Sequence, residues 1–490
     1  MKTELIYQKY KECDFKVCTD TRKIIPNSIF FALKGKNFNG NLFALQALKD
    51  GCAYAVVDDP EIAAQDDRCL LVSDTLKSLQ NLANYHRQQL NIPVIGIAGS
   101  NGKTTTKELV FQVLSKKYSV WATQGNLNNH IGVPLTLLQL KTHHQIAIIE
   151  LGANHPGEID ELCQIAMPDY AIITSIGKEH LEGFGDLNTV KKTNAELYDY
   201  VLQKKQGKIF FQLDNPDLIS IFENYSNIIA QQDKFVFYCT DTFYNTFQDI
   251  SKIQKIIVGK YIDTYDDIFV WWQWTNIQHP SLLNNTVWEK EPIIKTHLLA
   301  YHNFINALCA ACVGHYFNVP KDAINSAIAE YIPDKNRMQL VKTNKNVLIL
   351  DAYNANPTSM IAALEFFKNK KMSESLLNKE NDPTSNPLFS DENKVFILGD
   401  MFELGQHSEK EHIAIIEWLA NHCTNEKIFL VGKEFKNAFE KSKHPPNALT
   451  FNTTDEIIQY IQSHPTQFDK KFILIKASRG MQLEKITPYL

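Results

Sequence analysis

The residues with the clearest capacity for chemistry lie in "VIGIAGSNGKTTTKELV", Val94 to Val110. An apolar run ends in glycines, followed by a lysine, three threonines and a helix-like pattern. Gly99 and Gly102 let backbone N–H groups approach phosphate oxygens, and the following helix begins there with its positive dipole end. Ser100, Asn101 and Thr105 complete the loop. Lys103 can neutralise terminal phosphates, and the Thr104 hydroxyl suits a magnesium ion. The common phosphate-loop register asks for glycine five residues before Gly102, and this chain has Ile97 there. The stretch points to a nucleotide without naming a reaction.

Two further groups sit at the ends of apolar runs. Glu150 closes "IAIIEL", and His180 follows "AIITSIG" in "KEHLEGFG". A parallel sheet binds ligands beyond the carboxyl ends of its strands. Three strand–helix units therefore deliver Lys103 with Thr104, Glu150 and His180 to one rim. Thr104, Glu150 and His180 form the candidate metal set. His143 and His144, in the polar "KTHHQ" turn, read as solvated.

Elements must position these groups, and 490 residues are too many for one compact core. The pattern is α/β in three domains. Residues 1–91 form a small mixed domain with "SIFFALKG" and a helix leading through Gly51 into "AYAVVDD". Residues 92–334 hold the phosphate loop and the apolar runs "QIAIIEL", "YAIITSI" and "KIFFQL", which predict a mostly parallel sheet. Within them, Lys234 to Thr296 carries short β-rich runs that predict an antiparallel excursion. Trp271, Trp272 and Trp274 read as sheet packing there. Residues 335–490 show a second, Rossmann-like series, "NVLILDAY", "KVFILGD", "KIFLVG" and "KFILIKAS". The polar stretch 371–393 reads as an exposed loop.

Composition narrows the class. A net charge of -5 without a long basic run excludes a general nucleic-acid binder. No apolar run is long enough for a signal peptide or a membrane span, so a cytoplasmic protein is expected. Nine scattered cysteines suit reduced thiols, and Cys309 and Cys312 read as helix packing.

The chain resembles the Mur ligases over its whole length. The likeness is carried by "DTRKIIPNSIFFALKGKNFNG", "GSNGKTTTKE", "TQGNLNNHIGVPLTLL", "ELGANHPGEI" and "IGKEHLEGFG", then "HNFINAL", "DAYNANPTSM", "LGDMFELGQHSEKEH" and "KASRGMQLE". Their G-[ST]-N-G-K-T loop accounts for Ile97. The resemblance implies ATP and Mg2+ as cofactors. It also implies the branch that joins UDP-N-acetylmuramoyl-tripeptide to D-alanyl-D-alanine through an acyl phosphate, acting as a monomer. It further implies that Thr21 and Arg22 contact the uridine nucleotide sugar. Asn126, Asn128, Asn129 and His130 would line the ATP and peptide-carboxylate channel, and Asn303 and Asn306 would approach the adenine. Arg337 and Asp351 would close onto the nucleotide from the third domain, with Tyr353, Asn354 and Asn356 facing the dipeptide.

Three positions depart from the pattern. Where the resemblance places a lysine that is commonly carbamylated and helps hold a second magnesium ion, this chain has Asn194; Ala300 and Ala477 stand where glycines are expected. Glu196, nearby, is a weaker candidate to fill the gap. The alternatives are a sister Mur ligase adding another amino acid, folylpolyglutamate synthase and a regulatory module that has lost catalysis. A diamino-acid-adding sister carries D-N-P-R in its third domain. Here the only "DNP", Asp214 to Pro216, precedes Asp217 in the second.

Overall fold

The computed structural model describes residues 1–264, 269–277, 285–333, 336–370 and 391–490. The expected boundary at 334/335 and most of the polar stretch from 371 lie outside the described residues.

Four short parallel strands build the first sheet in the order Val17–Cys18, Ile29–Phe31, Tyr54–Val57, Cys69–Leu71. The helix Thr75–Gln89 follows, its N-terminus capped by the Asp74 carboxylate accepting from the Lys77 amide. It buries Leu79, Leu82, Ala83 and His86, the spacing of one helical face. That face joins the first sheet to the second: His86 Nε2 lies 3.0 Å from the Leu140 carbonyl, and Arg87 pairs with Asp169 at 2.9 Å.

The second sheet has nine strands, with Val94–Ala98 between Tyr170–Ile173 and Ile146–Glu150. All three pair in parallel, and every residue of Val94–Ala98 is buried, as expected of a strand covered on both faces. The register sets Ile97 beside Glu150 and Ala98 beside Ile173, so three strands end together at one rim. The antiparallel part is narrower than the run 234–296 suggests. Phe235–Thr240 and Ile256–Ile262 extend the parallel sheet, and among the described residues only Phe269–Ile277 runs against it, pairing antiparallel with Ile256–Ile262 on one side and Ile294–Leu299 on the other. The crossover between the first two is one short helix, Asp241–Thr246, and a turn, too brief for a clear helical period. Trp272 and Trp274 are buried against the sheet, and Cys309 and Cys312 are buried on the helix Tyr301–Tyr316.

The third sheet runs Gln339–Lys342, Val347–Asp351, Phe472–Lys476, Lys394–Gly399, Lys427–Val431, Ala448–Phe451; the first of these strands is antiparallel to its neighbour and the rest are parallel. Gln339–Lys342 and Ala448–Phe451 were not legible as strands. His144 also differs from expectation: it is buried, stacked on Trp121, and its Nδ1 accepts from the Lys141 amide.

Candidate active site

Between the rim of the second sheet and the third lies a cleft of about 750 Å³. The phosphate loop forms its floor. Gly99 and Gly102 take φ of 122° and 86°, in the region open chiefly to glycine. A Cβ on Gly99 would stand 2.4 Å from Thr174 Oγ1, so no larger residue fits. The first three loop amides are engaged within the protein: Gly99 donates to Asn194 Oδ1 at 2.7 Å, Ser100 to the Ser175 carbonyl and Asn101 to Ser175 Oγ. The amides of Gly102, Lys103, Thr104 and Thr105 have no acceptor among the described residues. These orphan donors at the start of the helix Lys103–Ser115 make an anion site. Lys103 folds its ammonium onto the Gly99 carbonyl, with Glu179 at 3.6 Å.

Beside the loop, Thr104 Oγ1 donates to Glu150 Oε1 at 3.3 Å, and Asn128 Nδ2 donates to the same oxygen at 2.9 Å. Glu150 is 2% exposed, and its Oε2 is buried with no hydrogen-bond partner. An ionised oxygen in that position is costly unless a cation faces it. His180, at φ 45°, has Nδ1 2.6 Å from Glu403 Oε2. That contact holds the Glu403 carboxyl below its ordinary pKa. An imidazole anchored to a carboxylate through one nitrogen keeps the other for a metal. Among the described residues, no three His, Cys, Asp or Glu side chains form a metal cluster by themselves. The donor set suits magnesium, which is commonly held by one or two carboxylates plus substrate phosphates.

Asn306 supports the loop from behind: Thr106 Oγ1 donates to its Oδ1, and its Nδ2 donates to Asn303 Oδ1. Asn126, Asn129 and His130 line the cleft from an exposed turn in which Asn129 Oδ1 accepts from the Ile131 and Gly132 amides. From the third sheet, the Arg337 guanidinium sits 3.9 Å over the Tyr353 ring. Asp351 pairs with Lys476 at 2.6 Å and accepts from the Met338 amide. Asn354 also lines the cleft.

Four expected residues do not line it. Gly99 lies beneath the loop. Thr21 and Arg22 sit on the first unit, where exposed Arg22 forks onto Asp20. Asn356 is a buried helix cap: its Oδ1 accepts from the Ser359 amide, and its Nδ2 donates to Asn101 Oδ1 at 2.9 Å. Asn194 also faces away from the cleft, and Glu196 is engaged by the Gly157 and Asp160 amides. Neither therefore occupies the place imagined for a metal-holding side chain. Glu179, Glu403, Lys476 and Arg479 line the cleft without having been singled out. All four stand inside motifs quoted above, but only the folded sheets show that these motifs meet.

The Mur ligase middle domain family matches residues 97–314. UDP-N-acetylmuramoyl-tripeptide–D-alanyl-D-alanine ligase of Bacillus subtilis is 33% identical over 96% of this chain and 92% of its own. The chain belongs to this ligase family. The Escherichia coli ligase is 30% identical over the same shares. A crystal structure of MurF from Acinetobacter baumannii superposes with a TM-score of 0.76 at 28% identity, covering 96% of this chain and 92% of that one. The shared fold extends to MurF of Thermotoga maritima, solved with ADP, at a TM-score of 0.75 and 22% identity. Membership explains why the ligase motifs are spread over the three large sheets.

Proposed function

We propose that the chain is an ATP-dependent amide ligase that adds D-alanyl-D-alanine to UDP-N-acetylmuramoyl-tripeptide in the cytoplasm, acting as a monomer. The observation that carries this reading is the convergence, in one cleft, of an anion-ready loop, a buried carboxylate oxygen without a partner and side chains from the third sheet. The full-length likeness to ligases of this specificity chooses the substrates. Among the described residues no helix is long and apolar enough to cross a membrane.

A carboxylate is a poor electrophile. In the proposed reaction the γ-phosphoryl of ATP passes to the tripeptide carboxylate, giving an acyl phosphate and ADP. The dipeptide amine attacks the acyl carbon, a tetrahedral intermediate forms, and phosphate leaves as the amide closes. The amides of Gly102–Thr105 and the Lys103 ammonium hold and neutralise the transferring phosphoryl. Thr104, Glu150 and His180 would hold Mg2+, which supplies further charge neutralisation. Asn128 keeps the Glu150 carboxylate oriented. Asn303 and Asn306 would border the adenine, and Asn126, Asn129 and His130 would border the peptide carboxylate. Arg337 and Asp351 close the nucleotide from the third unit, while Tyr353 and Asn354 face the dipeptide. Thr21 and Arg22 would serve the uridine end. Asn356 acts through Asn101 and its helix cap, which ties the third unit to the loop.

We assign residues 1–91 to the UDP-sugar end, 92–334 to ATP and 335–490 to the dipeptide side. A phosphate-release assay with ATP, D-alanyl-D-alanine and UDP-tripeptides carrying either diaminopimelate or lysine tests the reading. Release that requires both peptide substrates is expected. Hydrolysis indifferent to the dipeptide would overturn it in favour of another ligase or a nucleotide-binding module.

A further inference from the structure

The helix Leu187–Leu202 packs behind the phosphate loop, and Asn194 on it is 5% exposed. Both ends of its carboxamide are hydrogen-bonded within the protein. Oδ1 accepts the Gly99 N–H at 2.7 Å, and Nδ2 donates to the Val190 carbonyl at 2.9 Å, one turn earlier on the same helix. The second bond fixes which end of the amide faces the loop. Gly99 opens that loop, with φ of 122°, and its carbonyl receives the Lys103 ammonium.

We propose that Asn194 is a positioning residue for the nucleotide loop, turning the first loop amide away from the ligand and so fixing the register in which the next free amides face the cleft. This rests on the reading of the cleft as an ATP site. Without the Asn194 oxygen, the Gly99 N–H is a buried donor with no acceptor, a state proteins avoid. Glycine has the freedom to rotate out of it. Rotation there would carry along the carbonyl that seats Lys103. Ser175 holds the Ser100 and Asn101 amides, so Asn194 supplies the remaining anchor, at the loop's first residue. The role needs an acceptor oxygen at this reach, aimed at the loop rather than at the cleft.

The test uses the full chain. ADP affinity by calorimetry is compared between wild type and Asn194→Ala, with UDP-tripeptide affinity as the internal control and hydrogen exchange at the Gly99 amide as the direct readout. Asn194→Ala is expected to weaken ADP about tenfold, leave UDP-tripeptide binding unchanged and lose Gly99 protection. Asn194→Asp keeps an acceptor oxygen at the same reach and should retain that protection. If Asn194→Ala does not fold, Asn194→Ser removes the same contact, because its hydroxyl stops short of the loop. Unchanged ADP affinity, equal weakening of both ligands, or an unprotected Gly99 amide in Asn194→Asp would each overturn the inference. A wild-type chain that binds no ADP would instead overturn the functional reading beneath it.

Discussion

Lys103 and Asn194 show how much a single side chain contributes here. Lys103 is the point charge of the loop, 17% exposed and held by loop carbonyls until a phosphate competes for it. Lys103→Ala should therefore reduce ligation by about a hundredfold or more, while circular dichroism and melting temperature stay close to wild type. Near-normal turnover by the folded variant would remove Lys103 from the chemistry. Asn194 leads to a second expectation. Carbamylation requires an amine, and a carboxamide bonded to Gly99 offers none. Wild-type activity should not respond to bicarbonate at fixed pH and ionic strength. A severalfold rise would point to a carbamylated lysine elsewhere in the cleft.

Two expectations belong to the elements. The helix Tyr301–Tyr316 starts from Ala300, whose φ of 68° and ψ of 151° lie in territory that essentially only glycine occupies. The resemblance had expected glycine there, and the backbone gives the reason. Ala300→Gly should relieve strain of about 1–3 kcal/mol, partly offset by chain entropy. It should raise the melting temperature; a fall would show that the methyl packing outweighs the strain. The seam between the first and second units rests on the helix Thr75–Gln89, where burial holds the His86 ring below its ordinary pKa. The unfolded chain takes up a proton at about pH 6.5 that the folded chain refuses. This contribution to stability is fully present above that pH and is lost as pH falls through the lower, folded value. Melting temperature should decline with acidification, and less steeply in a folded His86→Gln variant. Parallel curves would place the acid sensitivity elsewhere.

At the scale of the molecule, the third unit touches the nucleotide loop and the segment after Ile173 at several points. Asn356 donates to Asn101, Lys178 pairs with Glu411 at 2.6 Å, and His180 meets Glu403. A reactive acyl phosphate needs water excluded, and closure of one unit on another is a general way to do that. Small-angle scattering should show compaction when an ATP analogue and both peptide substrates are bound. Lys178→Glu, which sets like charges against each other at Glu411, should reduce that compaction. No change in radius on ligand binding would contradict gating by closure.

Much of this architecture was legible from local pattern. Strand runs bounded by glycine, a loop whose glycines precede a helix and motif strings on three segments report on neighbouring residues, and those carry their signal in the sequence. The same patterns placed Glu150 and His180 at strand ends. They could not show that Asn194 turns to Gly99 rather than to a metal, that Glu196 caps a neighbouring helix, or that Asn356 bridges to Asn101 across 255 residues. Nor could they reveal that Phe235–Thr240 joins the parallel sheet. A side chain's partner is set by the register of strands and the rotation of helices packed against it. These are long-range quantities, fixed when the three large sheets assemble.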